Sequence, residues 1–427
     1  MKLPIAGCTL FLGVLTLALT AAGATDDSRP DMSLFGNYEL SPGQILTGGP
    51  FEDGQILLMD GANLSAGGVF IPDGPDAYRS IFPPGVRLGV TRAEDGSVTG
   101  IEWQVGDGPP VHAPRVYPHH VEDISFTSSD AKISGTLFVP ATPGPHPCIV
   151  FVHGSGDMDR YMGPWATYFL QFGVATLVYD KRGVGASTGD WRGSSFETLA
   201  ADAVAAVEFL TSRTDIDPTR IGLHGSSEGG WVTPIAAASC PAVSFLIVRA
   251  GPGEPAPKTV LHEMVWDRRE KNLTDDELSK VLDLTSEIFD AARAGQDWTS
   301  LDSLIDPARG TEWYSKAHGT GRPRGASERY WGFTVANANI DPTAYLRELH
   351  IPILWFLAEL DENVDSAASE PLLRAAFAAA PTDDHDLRVL AGANHAFFVV
   401  TDGVPAYTTG YWSAMAEWLQ ARGFTAP

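Results

Sequence analysis

One serine of the chain stands in a context that favours nucleophilic chemistry. Residues 225–229 read Gly-Ser-Ser-Glu-Gly, so glycines lie two positions before and two positions after Ser227. This spacing is typical of a sharp strand-to-helix turn that holds the serine in a strained backbone conformation, where larger neighbours would clash. The apolar segment 220–224 predicts the strand, and 231–238 is compatible with the helix. We predict Ser227 as the nucleophile, because choosing Ser226 loses both glycines.

A serine nucleophile needs a neighbouring base and a third group that orients the base. Among the eleven histidines, His395 is the candidate because its loop directly follows the predicted strand 387–390. The turn after the predicted strand 351–357 supplies four carboxylates. We choose Asp361 as the orienting acid. The alternatives are Glu359, Glu362 and Asp365.

A second loop is suited to stabilising negative charge. Residues 153–156 read His-Gly-Ser-Gly and directly follow the apolar predicted strand 148–152. A loop of this kind can aim a backbone N–H group at a developing oxyanion. We predict that the amides of Ser155 and Glu228 form a two-donor oxyanion hole. The alternative is an ordinary glycine-rich turn that His153 holds by a hydrogen bond.

These side chains must be positioned by the larger, later part of the chain, where apolar strands alternate with helices. That alternation predicts a mostly parallel sheet covered on both faces. About 100 residues separate the predicted strands 243–248 and 351–357, which is far longer than an ordinary connection. Within this gap, Thr274 and Glu277 form a capping box at the start of a helical pattern. We therefore predict an inserted helical cap at about 252–346.

The earlier part of the chain has a different pattern. Residues 25–117 are rich in Gly, Pro and Asp, with short apolar stretches between turn signals. They predict a small β-rich N-terminal domain without helices, joined through the Pro-rich linker 108–118 to a second domain, 118–427. The predicted strands are 55–59, 68–71, 86–91 and 98–105.

Two features bear on the substrate. Arg249 directly follows the predicted strand 243–248, where it suits either a substrate carboxylate or a structural ion pair. Aromatic side chains in the predicted cap indicate either an apolar substrate surface or the core of the cap itself. They are Trp266, Trp298, Trp313, Tyr314, Tyr330 and Trp331.

Composition limits the classes of partner. The chain has 427 residues, 44% of them hydrophobic, and a formal net charge of −24. Such a chain is globular and long enough for two to three domains. Its acidic surface repels phosphate backbones, so we expect no nucleic-acid partner.

The N-terminus predicts export. Residues 1–24 have a positive start, an apolar stretch and a small-residue ending, which predicts a signal peptide cleaved near Ala24 and a secreted or periplasmic location. The apolar run is shorter than a membrane span, so no stable membrane anchor is expected. Removal of this segment leaves Cys148 and Cys240, too few for a metal cluster. One disulfide and two separately buried thiols are the alternatives.

Further motifs point to a family. Residues 179–187 read Tyr-Asp-Lys-Arg-Gly-Val-Gly-Ala-Ser, and 360–364 read Leu-Asp-Glu-Asn-Val. They are similar to the loop after the fourth core strand and to the acid turn of the α/β-hydrolase superfamily, which residues 121–424 resemble. Ser-Glu-Gly-Gly at 227–230 resembles secreted or periplasmic bacterial carboxylesterases with a cap, related to dienelactone-hydrolase and prolyl-oligopeptidase-type domains.

The resemblance implies an α/β-hydrolase fold with a mostly parallel eight-stranded sheet, an inserted helical cap and a small N-terminal β-domain. It implies a serine hydrolase that cleaves small-molecule carboxylic esters through an acyl-enzyme, with Ser227, His395 and Asp361 as the triad and with no cofactor or metal. Asp180 and Arg182 are expected in a salt-bridged loop. The glycine run of lipase-type oxyanion holes is not matched after residue 154. The alternatives are a serine peptidase or amidase, a thioesterase, and a non-catalytic binding protein on this scaffold.

Overall fold

The computed structural model describes residues 31–51, 55–60, 67–323, 325–401, 404–408 and 410–426. These residues form an N-terminal β-barrel followed by an α/β domain. The predicted signal peptide, 1–24, lies outside the described residues. Among the helices of the described part, none is long and apolar enough to cross a membrane.

The N-terminal part is a closed antiparallel barrel of eight strands. The strands are β1 (Gly36–Ser41), β2 (Gln44–Phe51), β3 (Gln55–Met59), β4 (Gly68–Gly74), β5 (Ala77–Phe82), β6 (Val86–Arg92), β7 (Val98–Val105) and β8 (Val111–Val116). Pairing of Tyr38 in β1 with Arg115 in β8 closes the barrel, which leaves no free sheet edge. Buried apolar side chains such as Phe70, Leu88 and Trp103 fill its interior.

The barrel is a more complete structure than the small β-domain that the sequence predicted. Strand β2 was missed because its Gly-Gly-Pro sequence is typical of a turn. In the barrel a methyl group on Gly48 would lie 1.9 Å from the carbonyl oxygen of Leu57 on β3, so this glycine serves close strand packing. The prediction that 108–118 is a linker was wrong for Val111–Val116, because these residues form the closing strand β8.

The α/β domain is built on an eight-stranded sheet. Its strands are β9 (His119–Ser128), β10 (Ala131–Pro140), β11 (His146–Val152), β12 (Ala175–Tyr179), β13 (Ile216–Ser226), β14 (Val243–Arg249), β15 (Ile353–Ala358) and β16 (His385–Leu390). Their order is β9-β10-β12-β11-β13-β14-β15-β16. Strand β10 is antiparallel to both of its neighbours, β9 and β12. The six strands β12, β11, β13, β14, β15 and β16 run parallel to one another. The α/β class and the mostly parallel sheet are thus as predicted.

Helices cover the sheet and form an insertion after β14. They are α1 (Phe196–Thr211), α2 (Gly229–Ser239), α3 (Ala256–Asp267), α4 (Asp275–Arg293), α5 (Trp298–Ile305), α6 (Glu312–His318), α7 (Glu328–Asn337), α8 (Pro342–Leu346), α9 (Ser366–Ala379) and α10 (Tyr411–Ala421). Helices α3 to α8 lie between β14 and β15. The predicted capping box is confirmed, because Thr274 and Glu277 bond reciprocally at the start of α4. A short antiparallel pair, β17 (Phe398–Thr401) and β18 (Val404–Tyr407), precedes α10.

The barrel packs on one face of this sheet. The rings of Phe35 and Phe138 meet edge to face, with centroids 5.1 Å apart. Thr167, which lies between two short 3-10 turns, accepts a hydrogen bond from Asn37 Nδ2 at its carbonyl oxygen (3.1 Å) and bonds Thr47 through the two hydroxyls (3.1 Å). These buried polar contacts fix the position of the barrel against the sheet.

Both described cysteines, Cys148 and Cys240, are buried free thiols, which agrees with the second alternative from the sequence. Burial raises the pKa of the Cys148 thiol, so it stays protonated and unreactive.

The loop after β12 is held by buried ion pairs, as expected for Asp180 and Arg182. Asp180 accepts from Nε and Nη2 of Arg160 at 3.0 and 2.8 Å. Arg182 donates through Nε and Nη2 to the two carboxylate oxygens of Asp202 on α1, at 2.8 and 2.7 Å. The loop is therefore a rigid support between the sheet and α1.

Replacing Asp202 with Asn should lower the free energy of unfolding by about 3 kcal/mol, because it leaves the buried Arg182 guanidinium with only the exposed Asp130 as a counter-charge. Urea unfolding followed by circular dichroism measures this change. Glu370→Gln removes an ion pair with Arg374 on the exposed side of α9 and is the control, with little expected change. Equal stability of the two variants would contradict the structural role of the buried pair.

Candidate active site

The structure brings the three predicted triad residues together. His395 Nε2 lies 3.1 Å from Ser227 Oγ, and His395 Nδ1 lies 2.8 and 2.9 Å from the two carboxylate oxygens of Asp361. Because a carboxylate only accepts, Nδ1–H donates to Asp361, and Nε2 is left to accept the Ser227 hydroxyl proton. The order of these contacts is the one that acyl transfer by a serine requires.

Ser227 sits on a tight turn between β13 and α2. Its φ is +52°, in the left-handed region that a serine seldom occupies, and its amide donates to the carbonyl oxygen of Arg249 (2.9 Å). A methyl group on Gly225 would lie 2.6 Å from the Gly229 carbonyl oxygen, and one on Gly229 would lie 2.9 Å from that of Val152. The flanking glycines are therefore required by close packing of backbone atoms, as the motif predicted.

Asp361 is oriented by its own turn. Its side chain is fully buried, and Oδ1 accepts hydrogen bonds from the amides of Asn363 (2.9 Å) and Val364 (2.8 Å). These bonds fix the carboxylate in the plane from which it meets His395. The cap reaches the same turn, because His262 Nε2 on α3 donates to the Asp361 carbonyl oxygen (2.9 Å).

The three alternative acids serve other contacts. Glu359 accepts from the Gly392 amide (2.7 Å), and Glu362 accepts from the His395 amide (3.1 Å). Asp365 caps α9 by accepting from the Ala368 amide (3.0 Å). Glu359 and Glu362 thus hold the histidine loop by its backbone, whereas Asp361 meets the imidazole.

The predicted oxyanion loop lies against the nucleophile. A methyl group on Gly154 would lie 3.5 Å from Ser227 Cβ, and both Ser155 and Glu228 line the same cavity as Ser227. Glu228 immediately precedes α2, so its amide is one of the N–H groups that a helix start leaves without an intrahelical partner. The positive end of the helix dipole favours negative charge there.

A buried lysine ties this loop to the turn. Lys181 Nζ donates to Glu228 Oε1 (2.6 Å) and to the Gly154 carbonyl oxygen (3.0 Å) and lies 4.5 Å from the centre of the Trp191 ring. Lys181 and Glu228 are both buried, so breaking their ion pair would leave an unpaired charge in the protein interior, which is energetically costly. Lys181 therefore fixes the spacing between the two predicted oxyanion segments. Its position in the 179–187 motif is the signal that sequence reasoning passed over.

Arg249 lies in the wall of the cavity, but its visible contacts are internal. Nη1 donates to Ser226 Oγ (2.9 Å) and Nη2 to the His395 carbonyl oxygen (3.1 Å), and the guanidinium lies 4.8 Å from the centre of the Phe397 ring. These contacts connect the nucleophile turn to the histidine loop. They give Arg249 a positioning role through a hydroxyl and a backbone carbonyl, whereas the sequence offered a substrate carboxylate or a structural ion pair as its partner.

Ser227 and His395 open into a cavity of about 950 Å³. Its lining is mainly apolar, which suits a small organic ligand. The aromatic side chains in the lining are Phe51, Tyr161, Trp165, Trp191, Phe196, Trp231, Phe289, Tyr330 and Phe333.

The aromatic residues of the predicted cap divide between two roles. Tyr330 lines the cavity, whereas Trp298, Trp313, Tyr314 and Trp331 pack in the core of the cap. Trp266 is exposed. For four of the six residues, the core interpretation of the sequence was therefore the correct one.

Two further histidines near the site stay neutral. Burial lowers the pKa of His153 to about 4, and nearby Lys181 acts in the same direction. Burial lowers the pKa of His224 to about 3, and nearby Arg249 again adds to the effect. His224 lies three positions before Ser227 and lines the cavity. At neutral pH both rings are therefore uncharged.

The fold and the site together define an α/β hydrolase. The strand order is that of this class, and the nucleophile turn, the acid turn and the histidine loop follow β13, β15 and β16. The chain belongs to the serine aminopeptidase S33 family (Hydrolase_4), which matches residues 143–402. It is therefore an enzyme of the hydrolase class.

Relatives and solved structures share parts of this organisation. The chain is 36% identical over 110 residues to the quorum-quenching protein AidA of Acinetobacter baumannii, and 28% identical over 156 residues to the esterase EstD of Thermotoga maritima. The two matches span 25% and 34% of this chain, and each spans 36% of the relative's own length.

Among solved structures, a Pyrococcus furiosus esterase, Pf2001, is similar at 15% identity and a TM-score of 0.45, over 71% of this chain and 91% of that one. Dienelactone hydrolase from Anabaena variabilis is similar at 17% identity and a TM-score of 0.38, over 71% of this chain and 98% of that one.

The neutral state of His224 predicts acid sensitivity. Its pKa is lower in the folded protein than the usual value of about 6.5 in an unfolded chain, so the unfolded state takes up the proton first as the pH falls. Stability from this group is complete above pH 6.5 and falls by about 2 kcal/mol between pH 7 and pH 5. Urea unfolding at pH 7 and pH 5 should show that His224→Phe loses less free energy of unfolding than wild type, by about this amount. The exposed His120→Phe is the control, and a parallel loss in wild type and His224→Phe would refute the assignment.

Proposed function

We propose that the protein hydrolyses carboxylic esters through an acyl-enzyme formed on Ser227. The observation that carries the proposal is the hydrogen-bonded sequence of Ser227 Oγ, the His395 imidazole and the buried Asp361 carboxylate. A hydroxyl in contact with an oriented neutral imidazole is the arrangement that activates a serine. The cavity beside it offers room for both groups of a small ester.

In the first half of the reaction, Ser227 Oγ attacks the ester carbonyl carbon while its proton passes to His395 Nε2. Asp361 holds the imidazole in the required tautomer and stabilises the imidazolium that forms. The tetrahedral intermediate collapses as the bond to the alcohol oxygen breaks, and that oxygen takes the proton from Nε2. The acyl group is then bonded to Ser227.

In the second half, water attacks the acyl carbonyl and gives its proton to His395 Nε2. The bond to Ser227 Oγ breaks, and the serine oxygen recovers the proton, so the carboxylic acid leaves and the enzyme is regenerated. In both halves, the amides of Ser155 and Glu228 stabilise the carbonyl oxygen as it gains negative charge. Lys181 keeps their spacing through its bonds to Glu228 and Gly154.

Several features support an apolar neutral ester as the substrate class. Aromatic rings dominate the cavity lining, and the carboxyl groups of Asp159 and Glu263, which also line it, disfavour an anionic ligand. The esterase EstD, whose name states its activity, is among the partial relatives. We also propose that the protein acts outside the cytoplasm, on the basis of the sequence pattern at 1–24.

Ser227→Ala should reduce kcat on p-nitrophenyl acetate by about a thousand-fold or more, because no other hydroxyl replaces the nucleophile. The neighbouring Ser226→Ala is the matched control and should keep measurable turnover, since Ser226 Oγ bonds Arg249 and not His395. Mass spectrometry after treatment with a fluorophosphonate should place the label on Ser227 in wild type. Equal turnover by Ser227→Ala and wild type would falsify the mechanism, and a folded protein without labelling or turnover would favour the binding-protein alternative.

The family description favours one second candidate, cleavage of an amide or peptide bond by the same residues. Comparing a p-nitrophenyl ester with the p-nitroanilide of the same acyl group separates the two. We expect a higher kcat/KM for the ester, because p-nitrophenolate is a weak base that leaves without a proton, whereas the anilide nitrogen must be protonated to leave. Anilide turnover that matches or exceeds ester turnover would favour the peptidase, and a higher rate on the corresponding thioester would favour a thioesterase.

A further inference from the structure

The cavity extends over both faces of the sheet. On the cap side its wall packs against the hydrophobic core that contains α1 and α2, through residues including Phe196 and Trp231. On the other side its wall packs against the core that joins the barrel to the sheet, through Tyr161, Met162 and Trp165. We name these two parts the cap-side lobe and the barrel-side lobe, and Ser227 lines the same cavity.

The N-terminal barrel contributes directly to the barrel-side lobe. Phe51, the last residue of β2, lines the cavity and packs against the same core. A methyl group on Gly163 would lie 3.3 Å from Leu57 Cβ and 3.4 Å from Phe51 Cδ2, so the barrel touches the segment that carries Met162 and Trp165. Since the barrel is held by buried polar contacts at Thr167, Phe51 is a fixed wall.

The barrel-side lobe also has a polar floor. His224 on β13 is 1% exposed and lines the cavity, and within the described part of the chain neither of its ring nitrogens has a hydrogen-bond partner. Its ring packs near Phe151, with centroids 5.0 Å apart. Leaving a buried polar group without a hydrogen-bond partner costs about 1–3 kcal/mol, so a ligand oxygen that bonds to this imidazole would bind more tightly.

We propose that the barrel-side lobe is a substrate subsite that takes an apolar group with an uncharged oxygen at its far end, with Phe51 limiting the size of the group and His224 bonding the oxygen. The inference rests on the proposed ester hydrolysis, because the group is one of the two that flank the ester bond. An uncharged oxygen is favoured over a carboxylate because acidic residues, among them Asp159 and Glu263, line the cavity and both Nη atoms of Arg249 bond within the protein. The barrel is then part of the specificity machinery.

The size limit is tested with Phe51→Ala and two series of esters. One series varies the acyl group from p-nitrophenyl acetate to phenylacetate, and the other varies the alcohol from methyl to benzyl acetate. In one series, Phe51→Ala should raise kcat/KM for the bulky over the small ester by about ten-fold, because it adds room for a buried apolar group. Tyr78→Ala truncates an aromatic of the barrel outside the cavity lining and should leave both ratios unchanged. Unaltered ratios in both series for Phe51→Ala would contradict the claim that Phe51 limits the size of the group.

The polar floor is tested with substrates that differ by one hydroxyl, p-nitrophenyl 4-hydroxyphenylacetate against phenylacetate and 4-hydroxybenzyl acetate against benzyl acetate. Wild type should prefer the hydroxylated member of one pair. His224→Phe should reduce that preference by about ten-fold through KM, because the imidazole hydrogen bond is lost, and His224→Gln should restore part of it. No preference in wild type, or one that His224→Phe retains, would mean that water alone satisfies His224 and would overturn the subsite.

A binding measurement separates this inference from the proposed function. If wild type turns over none of the esters, ester hydrolysis fails, and the subsite is then judged by calorimetric titration with 4-hydroxybenzyl alcohol. Binding that is about ten-fold weaker in His224→Phe than in wild type supports the subsite without any reaction. Equal affinity, or no binding by wild type, overturns it.

Discussion

The strained turn at Ser227 is the constraint on which the site depends. Its left-handed backbone places Oγ above the end of β13, and the turn closes only because glycine flanks it on both sides. This conformation is stabilised by the hydrogen bond from the Ser227 amide to the Arg249 carbonyl oxygen on the neighbouring strand and by the start of α2. Removing either support would release the serine from the one position that His395 and the oxyanion segments share.

Two charged side chains connect the nucleophile turn to the surrounding loops. Lys181 joins the nucleophile turn to the 153–156 loop, and Arg249 joins it to the histidine loop. Lys181 and Glu228 are buried, where a charge is costly to leave unpaired, so their contact restricts the arrangement of the two segments that it joins. An acyl-transfer site benefits because its hydrogen-bond donors are in place before charge develops on the substrate.

The barrel and the cap enclose the reacting centre from opposite sides. The cap reaches the acid turn through His262, and the barrel reaches the cavity through Phe51. Both elements are therefore close enough to influence which ester enters, while the residues in contact with the reacting atoms come from the central sheet. This division lets one catalytic arrangement serve different substrates when the covering elements differ.

The sequence by itself determined the strand-turn-helix around Ser227, the chain order of serine, acid and base, and the alternating pattern of the α/β domain, because each depends on local spacing. It did not determine the closed barrel, where Gly48 packs closely on Leu57 of β3 and β8 pairs with β1, the first strand of the barrel. The places of Phe51 and His224 in the site were out of reach, and so were the partners of Lys181, since these contacts join side chains far apart in the chain. Tertiary structure also separated Asp361 from Glu359 and Glu362, because which carboxylate meets His395 depends on how two loops from neighbouring strands pack.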